Sequence, residues 1–217
     1  MKRQFAVIGC GRFGTSLAKT LYALGHEVMA VDKSEERVQS ISDFVTYAVQ
    51  ADATDEKTLK SLGIRNFDTA VISIGSDIQS SIMTTLMAKE LGVKYVLCKA
   101  QNELQAKVLY KIGADKVVFP ERDMGVRVAH NLVSQNVLEY IELSPDYSIV
   151  EIVAPKNWVG KSIKDLDLRA AFGINVMAIK YPQGINISPS ADKVLEKNDI
   201  LVVIGKNDVI NKIEEKG

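Results

Sequence analysis

The apolar run Phe5-Ala-Val-Ile8 ends in Gly9, and two more glycines, Gly11 and Gly14, follow before a stretch with helical periodicity. A second apolar run, Val28–Val31, ends in Asp32. Few local patterns restrict a chain more. Gly9 permits a tight turn out of a strand, Gly11 lets the backbone come close to a pyrophosphate, and Gly14 lets the next helix pack against the sheet. A helix starting near Arg12 and Phe13 aims unpaired N–H groups and a partial positive charge at the same point. Asp32 falls about twenty residues on, where a carboxylate accepts ribose hydroxyls and repels a 2′-phosphate. Strand, glycine turn, helix, strand and acid in this order predict the first β-α-β unit of a Rossmann fold, with a nucleotide site. The alternative for the glycines alone is a turn that serves only packing. For Asp32 it is a helix cap or a solvated loop acid.

The alternation continues along the chain. Strands are predicted at Gln4–Ile8, Val28–Val31, Tyr47–Gln50, Thr69–Ser73, Tyr95–Cys98 and Lys116–Phe119. Helices are predicted near Arg12–Leu24, Ser34–Ser42, Asp55–Leu62, Ile78–Leu91 and Asn102–Ile112. Ser34 and Asp55 stand at N-cap positions, and Gly25, Gly63, Gly92 and Gly113 close helices. The strands are almost uniformly apolar, as expected when helices cover both sheet faces. The predicted fold class is α/β, a six-stranded, doubly wound parallel sheet. After Pro120 the pattern changes. Glu121–Asn136 reads as one long helix with Met124, Val128, Leu132 and Val133 on one side. From Glu139 onward come short strands at Ser148–Val153, Asn175–Tyr181, Ile185–Ile187 and Ile200–Ile204, a tight turn at Tyr181-Pro-Gln-Gly184 and a last helix near Asp208–Glu214. The boundary lies near Gln135–Glu139. The predicted organisation is a nucleotide-binding domain over 1–120, a connecting helix over 121–137 and a small α+β lobe over 138–217.

In an open parallel sheet a ligand lies outside the carboxyl ends of the strands. Those ends present Gly9–Gly14, then Asp32 and Lys33, then Asp52, Ala53 and Thr54, then Ile74, Gly75 and Ser76, and finally Lys99, Ala100 and Gln101. Asp52 and Ala53 lie where an adenine ring is gripped, and Gly75 permits close approach beneath the phosphates. Lys99 is either a charge for the ligand or an ordinary surface cation. Lys plus Arg and Asp plus Glu number 27 each, so no bulk field favours nucleic acid. No apolar run approaches the ~20 residues that span a bilayer, and strand one begins too early to leave room for a signal peptide. A soluble cytosolic chain is expected. Cys10 and Cys98 are too few for a disulfide framework and lack metal-ligand spacing. Hydride transfer needs an acid–base group over a nicotinamide, and the histidines offered are His26 and His130. His26 precedes strand two on the edge away from the ligand, and His130 lies on the long helix. The second lobe offers no nucleophile–base pair or metal cluster, so no enzyme is expected. An NAD-dependent oxidoreductase is the rival reading. A redox-sensing DNA-binding regulator is a third, against which the lack of a helix-turn-helix segment counts.

Longer motifs carry a resemblance. Val7-Ile-Gly-Cys-Gly-Arg-Phe-Gly14, Ala51-Asp-Ala-Thr54, Leu62-Gly-Ile-Arg-Asn-Phe-Asp68, Lys99-Ala-Gln-Asn102, Lys111-Ile-Gly-Ala-Asp115 and Pro120-Glu-Arg-Asp-Met-Gly125 resemble the RCK (also called KTN) regulators of bacterial potassium uptake. The likeness is strongest to the cytosolic regulatory subunits of Ktr-type transporters and covers essentially the whole chain. Cys10 departs from it, standing where a larger apolar residue is expected.

The resemblance implies a non-catalytic gating ring. Such subunits dimerise through a crossover helix, here 121–137. Dimers form an octameric ring under a membrane K⁺-transporting subunit, which makes the protein peripheral on the inner face of the membrane. ATP favours the active ring and ADP the inactive one, and NAD(H) also enters the site. Arg12 matches an arginine that reaches the γ-phosphate held by a neighbouring subunit, where a guanidinium makes charge-assisted bonds only if that group is present. Otherwise it would read as a surface helix residue. Glu121 matches a carboxylate that holds Mg²⁺ or Ca²⁺ beside the phosphates, instead of a plain first-turn acid. Gln105 occupies a nearby contact position. Ile163, Asp167, Arg169 and Asn175 match a pocket that binds cyclic di-AMP between two C-terminal lobes, with Arg169 meeting a phosphate and Asn175 a base or ribose. A capped helix leading into a strand is the alternative for that stretch.

Overall fold

The computed structural model describes residues 2–75, 77–133 and 137–214, the side chains of His130, Val133, Val137, Leu138, Asn211 and Glu214 excepted. The chain divides after Glu121 into two compact units. In the first, each of the six apolar runs forms a strand: β1 (Gln4–Ile8), β2 (Glu27–Asp32), β3 (Tyr47–Gln50), β4 (Thr69–Ile72), β5 (Tyr95–Lys99) and β6 (Lys116–Val118). All neighbours pair in parallel, in the order β3-β2-β1-β4-β5-β6. The chain reverses its direction of winding between β1 and β4, and the crevice at that reversal is where such sheets hold ligands. Helices α1 (Arg12–Ala23), α2 (Glu35–Ile41), α3 (Glu56–Ser61), α4 (Ile78–Glu90) and α5 (Glu103–Lys111) make the connections.

The period of two along a strand sorts the apolar side chains. Ala6, Ile8, Met29, Val31, Ala70 and Ile72 enter one core, whereas Val7, Val28, Ala30 and Val71 enter the other. With both faces covered, these strands have no polar side to show. Four described helices of this unit begin on a side-chain cap. Ser34, Asp55, Asp77 and Asn102 each accept a hydrogen bond from the backbone N–H three residues on, a contribution of about 1 kcal/mol apiece. Helix α1 is different. Its N-cap is Gly11, which has no side chain to offer, so the first N–H groups of α1 stay available to something outside the helix.

Helix α6 (Pro120–Val133) follows β6; the remainder of the expected helix, 134–136, lies outside the described residues, as does Ser76. The second unit is built on β7 (Val137–Ser144), β8 (Tyr147–Val153), β9 (Asn175–Tyr181), β10 (Gly184–Asn186) and β11 (Ile200–Lys206). These pair antiparallel in the order β10-β9-β11-β8-β7. Alternate residues of β8 and β11 are buried. Val150, Ile152, Leu201 and Val203 thus share a core with Trp158, Ile174, Leu195 and Ile210, as in a sheet with one face covered. Helices α7 (Ile163–Leu166), α8 (Leu168–Phe172) and α9 (Asn207–Glu214) complete the unit.

One strand departs from the sequence pattern, and one stretch follows its alternative, a capped helix leading into a strand. The strand β7 was not expected, because its pairing with β8 shifts register between Val137 and Glu139 and again between Glu142 and Ser144. Such shifts break the strict alternation by which a strand is recognised. The capped helix is α7, four residues long, and the five-residue α8 that follows it before β9 is too short to display a helical period. Among the described residues no helix is long and apolar enough to cross a membrane.

Candidate nucleotide site

A cavity of about 340 Å³ opens over the carboxyl ends of β1, β2 and β4, a size suited to a small ligand. Its floor is made by the glycine turn. Gly9 has a φ of 99°, a left-handed value that favours glycine, and its N–H donates to the Val31 carbonyl at 2.7 Å. The Ser73 hydroxyl donates to the Gly9 carbonyl and, at 3.2 Å, can reach that of Ile8. Gly14 closes over both. A Cβ on Gly14 would come within 3.0 Å of the Gly9 carbonyl oxygen and of Ser73 Oγ, so α1 sits this close to the sheet only because the side chain is missing. Gly11 is the reverse case. A Cβ there would meet no protein atom within 4 Å, and the residue lines the cavity. The missing side chain at Gly11 therefore leaves room for a ligand, beside the uncapped start of α1.

Asp32 lines the cavity while only 6% exposed. Its Oδ2 accepts the Cys10 N–H at 2.7 Å, its Oδ1 accepts the Ser34 N–H at 2.9 Å, and Arg37 Nη1 lies 3.4 Å from Oδ2. The expected ribose acceptor is thus also a strut that ties the glycine turn to the start of α2. A carboxylate has about four lone-pair positions, so these three donors leave room for a hydroxyl. Asp52 Oδ1 accepts both the hydroxyl (2.6 Å) and the N–H (2.9 Å) of Thr54, and these bonds, the hydroxyl first, hold its carboxyl below the ordinary range. Behind it, Thr84 Oγ1 donates to the Ala53 carbonyl at 3.2 Å, which fixes the wall where a base would lie. Lys33 and Ile74 also line the cavity.

At the other end stand Arg12, Phe13, Gly75, Lys99 and Glu121. Lys99 and Glu121 form an ion pair. The bond from the Lys99 ammonium holds the Glu121 carboxyl below its usual range, and Arg12 adds a smaller effect in the same direction. Gln101 Nε2 donates to the Gly75 carbonyl. Ala100 and Gln105 are buried, and neither they nor Gln101 are among the residues that line the cavity. Gln105 Oε1 accepts the Gln101 N–H at 2.9 Å, and its buried Nε2 has no partner among the described residues. His26 sits at the far end of β1, its Nδ1 3.4 Å from the Arg3 N–H and its ring 5.3 Å from that of Phe5. Burial pushes the Cys10 thiol up to about 12 and Cys98 up to about 11, so neither is a reactive thiolate at neutral pH.

In the second unit Ser162 caps α7 in a capping box with Asp165, and Ile163 opens that helix. Asp167 joins α7 to α8 with a φ of 43°. Arg169 on α8 and Asn175 at the start of β9 are both exposed.

Residues 5–120 match the TrkA-N domain and residues 147–216 the TrkA-C domain. The chain is 51% identical over 216 residues to Ktr system potassium uptake protein C of Bacillus subtilis (strain 168), covering 100% of this chain and 98% of that protein. The chain belongs to the Ktr family of potassium uptake proteins. A second family member, Ktr system potassium uptake protein A of the same organism, is 48% identical over 215 residues, 99% of this chain and 97% of that one. The Ktr fold also recurs in a structure of the GsuK channel, with TM-score 0.71 and 16% identity over all of this chain; the match spans 39% of the GsuK chain. The NAD(P)-binding domain of an exopolyphosphatase-related protein from Archaeoglobus fulgidus matches 61% of this chain and 98% of its own length, with TM-score 0.53 and 26% identity.

The cavity of this Ktr chain contains residues that the sequence reading left out. Arg37, Asp77 and Ser80 all line it. Arg37 could have been found, since a helix capped by Ser34 places its third residue back toward the cap and hence toward Asp32. Asp77 is the cap of α4 and is occupied by the Ser80 N–H at 3.0 Å and by its hydroxyl. Nothing in its local sequence sets that acid apart from an ordinary cap.

Proposed function

We propose that this Ktr-family chain is a non-catalytic, nucleotide-sensing regulatory subunit that gates a membrane K⁺-transporting subunit. The observation that carries the reading is the open face of Gly11 at the uncapped start of α1, with Arg12, Lys99 and Glu121 at the same end of the cavity. That arrangement suits a chain of phosphates, and Asp52 and Ala53 lie where the adenine of ATP, ADP or NAD(H) would rest. The match to an NAD(P)-binding domain in the Archaeoglobus protein is in keeping with it. ATP would favour one ring geometry and ADP another. A ligand that bound both geometries equally would shift nothing.

A divalent ion fits this site for a reason of charge. Among the described lining residues, Arg12, Lys33, Arg37 and Lys99 are balanced by Asp32, Asp52, Asp77 and Glu121. A polyphosphate entering a neutral site leaves it strongly negative unless a cation enters as well. No three His, Cys, Asp or Glu side chains converge as a metal site among the described residues. Mg²⁺ or Ca²⁺ would thus take most of its oxygens from phosphate and water, with Glu121 as the protein ligand. Glu121→Gln is expected to weaken the divalent-ion dependence of ATP binding in calorimetry while ADP binding without metal persists. Unchanged metal dependence would remove Glu121 from this role.

The exposed apolar residues Met124, Val128 and Leu132 of α6 suit a dimer formed through that helix, and dimers would close into an octameric ring. The ring would lie in the cytoplasm, peripheral to the membrane through its partner. Arg169 and Asn175, with Ile163 and Asp167, would bind cyclic di-AMP between two C-terminal lobes and lower transport. The deciding experiment is co-purification with a K⁺-transporting membrane subunit, then flux with ATP and with ADP. Flux higher with ATP is expected. A monomer indifferent to both nucleotides sinks the reading, and NADH turnover on candidate substrates would favour an oxidoreductase instead.

A further inference from the structure

The Lys99–Glu121 ion pair joins two unlike environments. The Lys99 side chain, at the end of β5, is 12% exposed, whereas that of Glu121, in the first turn of α6, is 66% exposed. A lysine side chain so little exposed is steadied by a counter-charge, and Glu121 supplies it. The ammonium lies over the loop that follows β4: a Cβ on Gly75 would stand 3.3 Å from Lys99 Nζ. Lys99 therefore holds the position over Gly75 that phosphate oxygens would approach, while neutralising the carboxylate that a divalent ion would need. Resting on the nucleotide reading above, we infer that Lys99 is a resident cation in the Ktr site, exchanged for a divalent ion when phosphate binds. Phosphate oxygens, which carry more charge than one carboxylate, draw the ammonium to themselves. Glu121 is then left beside a polyanion and accepts the metal in place of the lysine.

The exchange makes metal and phosphate bind as a pair. Metal alone must compete with an ammonium already in place, and phosphate alone leaves Glu121 repelling it. By reciprocity each ligand strengthens the other by the same factor. The arrangement keeps a metal ion from mimicking a bound nucleotide.

The full-length protein can be titrated with Mn²⁺ alone, free Mn²⁺ being followed by electron paramagnetic resonance, in wild type, Lys99→Met and Lys99→Gln. Removing the ammonium is expected to tighten Mn²⁺ binding about tenfold, and adding Glu121→Gln to Lys99→Met is expected to erase the gain. Equal Mn²⁺ affinity in all proteins, including none measurable in any, overturns the exchange, as does a gain that survives Glu121→Gln. A second arm measures ADP without metal by calorimetry, where either Lys99 variant should bind several-fold more weakly; unchanged ADP affinity also overturns it. Wild type that fails to bind ADP or ATP under any metal condition overturns the nucleotide reading itself, a separate result.

Discussion

Gly14→Ala is expected to lower the thermal midpoint of the first unit by about 10 °C and to abolish ADP binding, whereas Gly11→Ala should leave the midpoint nearly unchanged and lose binding alone. The two substitutions add the same methyl group three residues apart on one turn, and the structure separates their consequences. At Gly14 the new Cβ falls within 3.0 Å of the Gly9 carbonyl oxygen and Ser73 Oγ. The first is backbone and cannot rotate away, so α1 must lift off the sheet. Overpacking of this kind costs about 3 kcal/mol, which for a unit of this size is on the order of 10 °C. At Gly11 the backbone is ordinary extended chain, φ −71° and ψ −176°, and the methyl would meet no protein atom within 4 Å. It would project instead into the space proposed for the pyrophosphate. Thermal unfolding and calorimetry with ADP distinguish the two. A Gly11→Ala protein that binds ADP like wild type means that the phosphates do not approach there.

How much of this was visible in the chain alone depends on whether a residue's role is local. The six-stranded sheet was legible because its strands lie in a core on both faces, so each is a short apolar run between turn signals. The glycine turn was legible because each glycine answers a separate steric demand, and those demands have fixed spacing. The role of Asp32 was half visible. Its distance from Gly9 suits the proposed ribose acceptor, but its bonds to the Cys10 and Ser34 N–H groups depend on how β1 and β2 are placed side by side. The pairing of Lys99 with Glu121 joins residues 22 apart in sequence, and no periodicity relates the end of β5 to the start of α6. Likewise β7 stayed hidden because two register shifts interrupt its alternation.

The cavity's balance of charge gives these pieces a common consequence. With equal numbers of cationic and acidic lining residues described, the site would leave a bound polyphosphate under-neutralised unless cations are added as the phosphate count grows. The added cation can be a metal on Glu121 or a guanidinium brought by another copy of the chain. On the proposed reading either route would make the phosphate count matter, since ATP carries one more phosphate group, and about one more negative charge, than ADP. In the proposed subunit the difference in ligand charge would become a difference in which assembly binds better.

Arg12→Ala is accordingly expected to reduce the preference for ATP over ADP by about tenfold to a hundredfold while ADP binding stays near its wild-type level. The range follows from the charge-assisted bonds of a guanidinium to phosphate, about 1.5–3 kcal/mol, at about 1.4 kcal/mol per factor of ten. Arg12 is exposed at the first position of α1, where it could reach a phosphate held by a neighbouring copy; among the described residues its influence is a small electrostatic one on Glu121, with no hydrogen bond to lose. Stability should therefore be unaffected, which sets this substitution apart from Gly14→Ala. Arg12→Lys should fall between the two, because the ammonium keeps the charge but loses the forked pair of donors. Calorimetry with each nucleotide, with and without Mg²⁺, gives the ratio directly. If ATP and ADP lose affinity equally, Arg12 is a general phosphate contact within its own cavity. The discrimination between the two nucleotides would then have to lie with Glu121 and its metal alone.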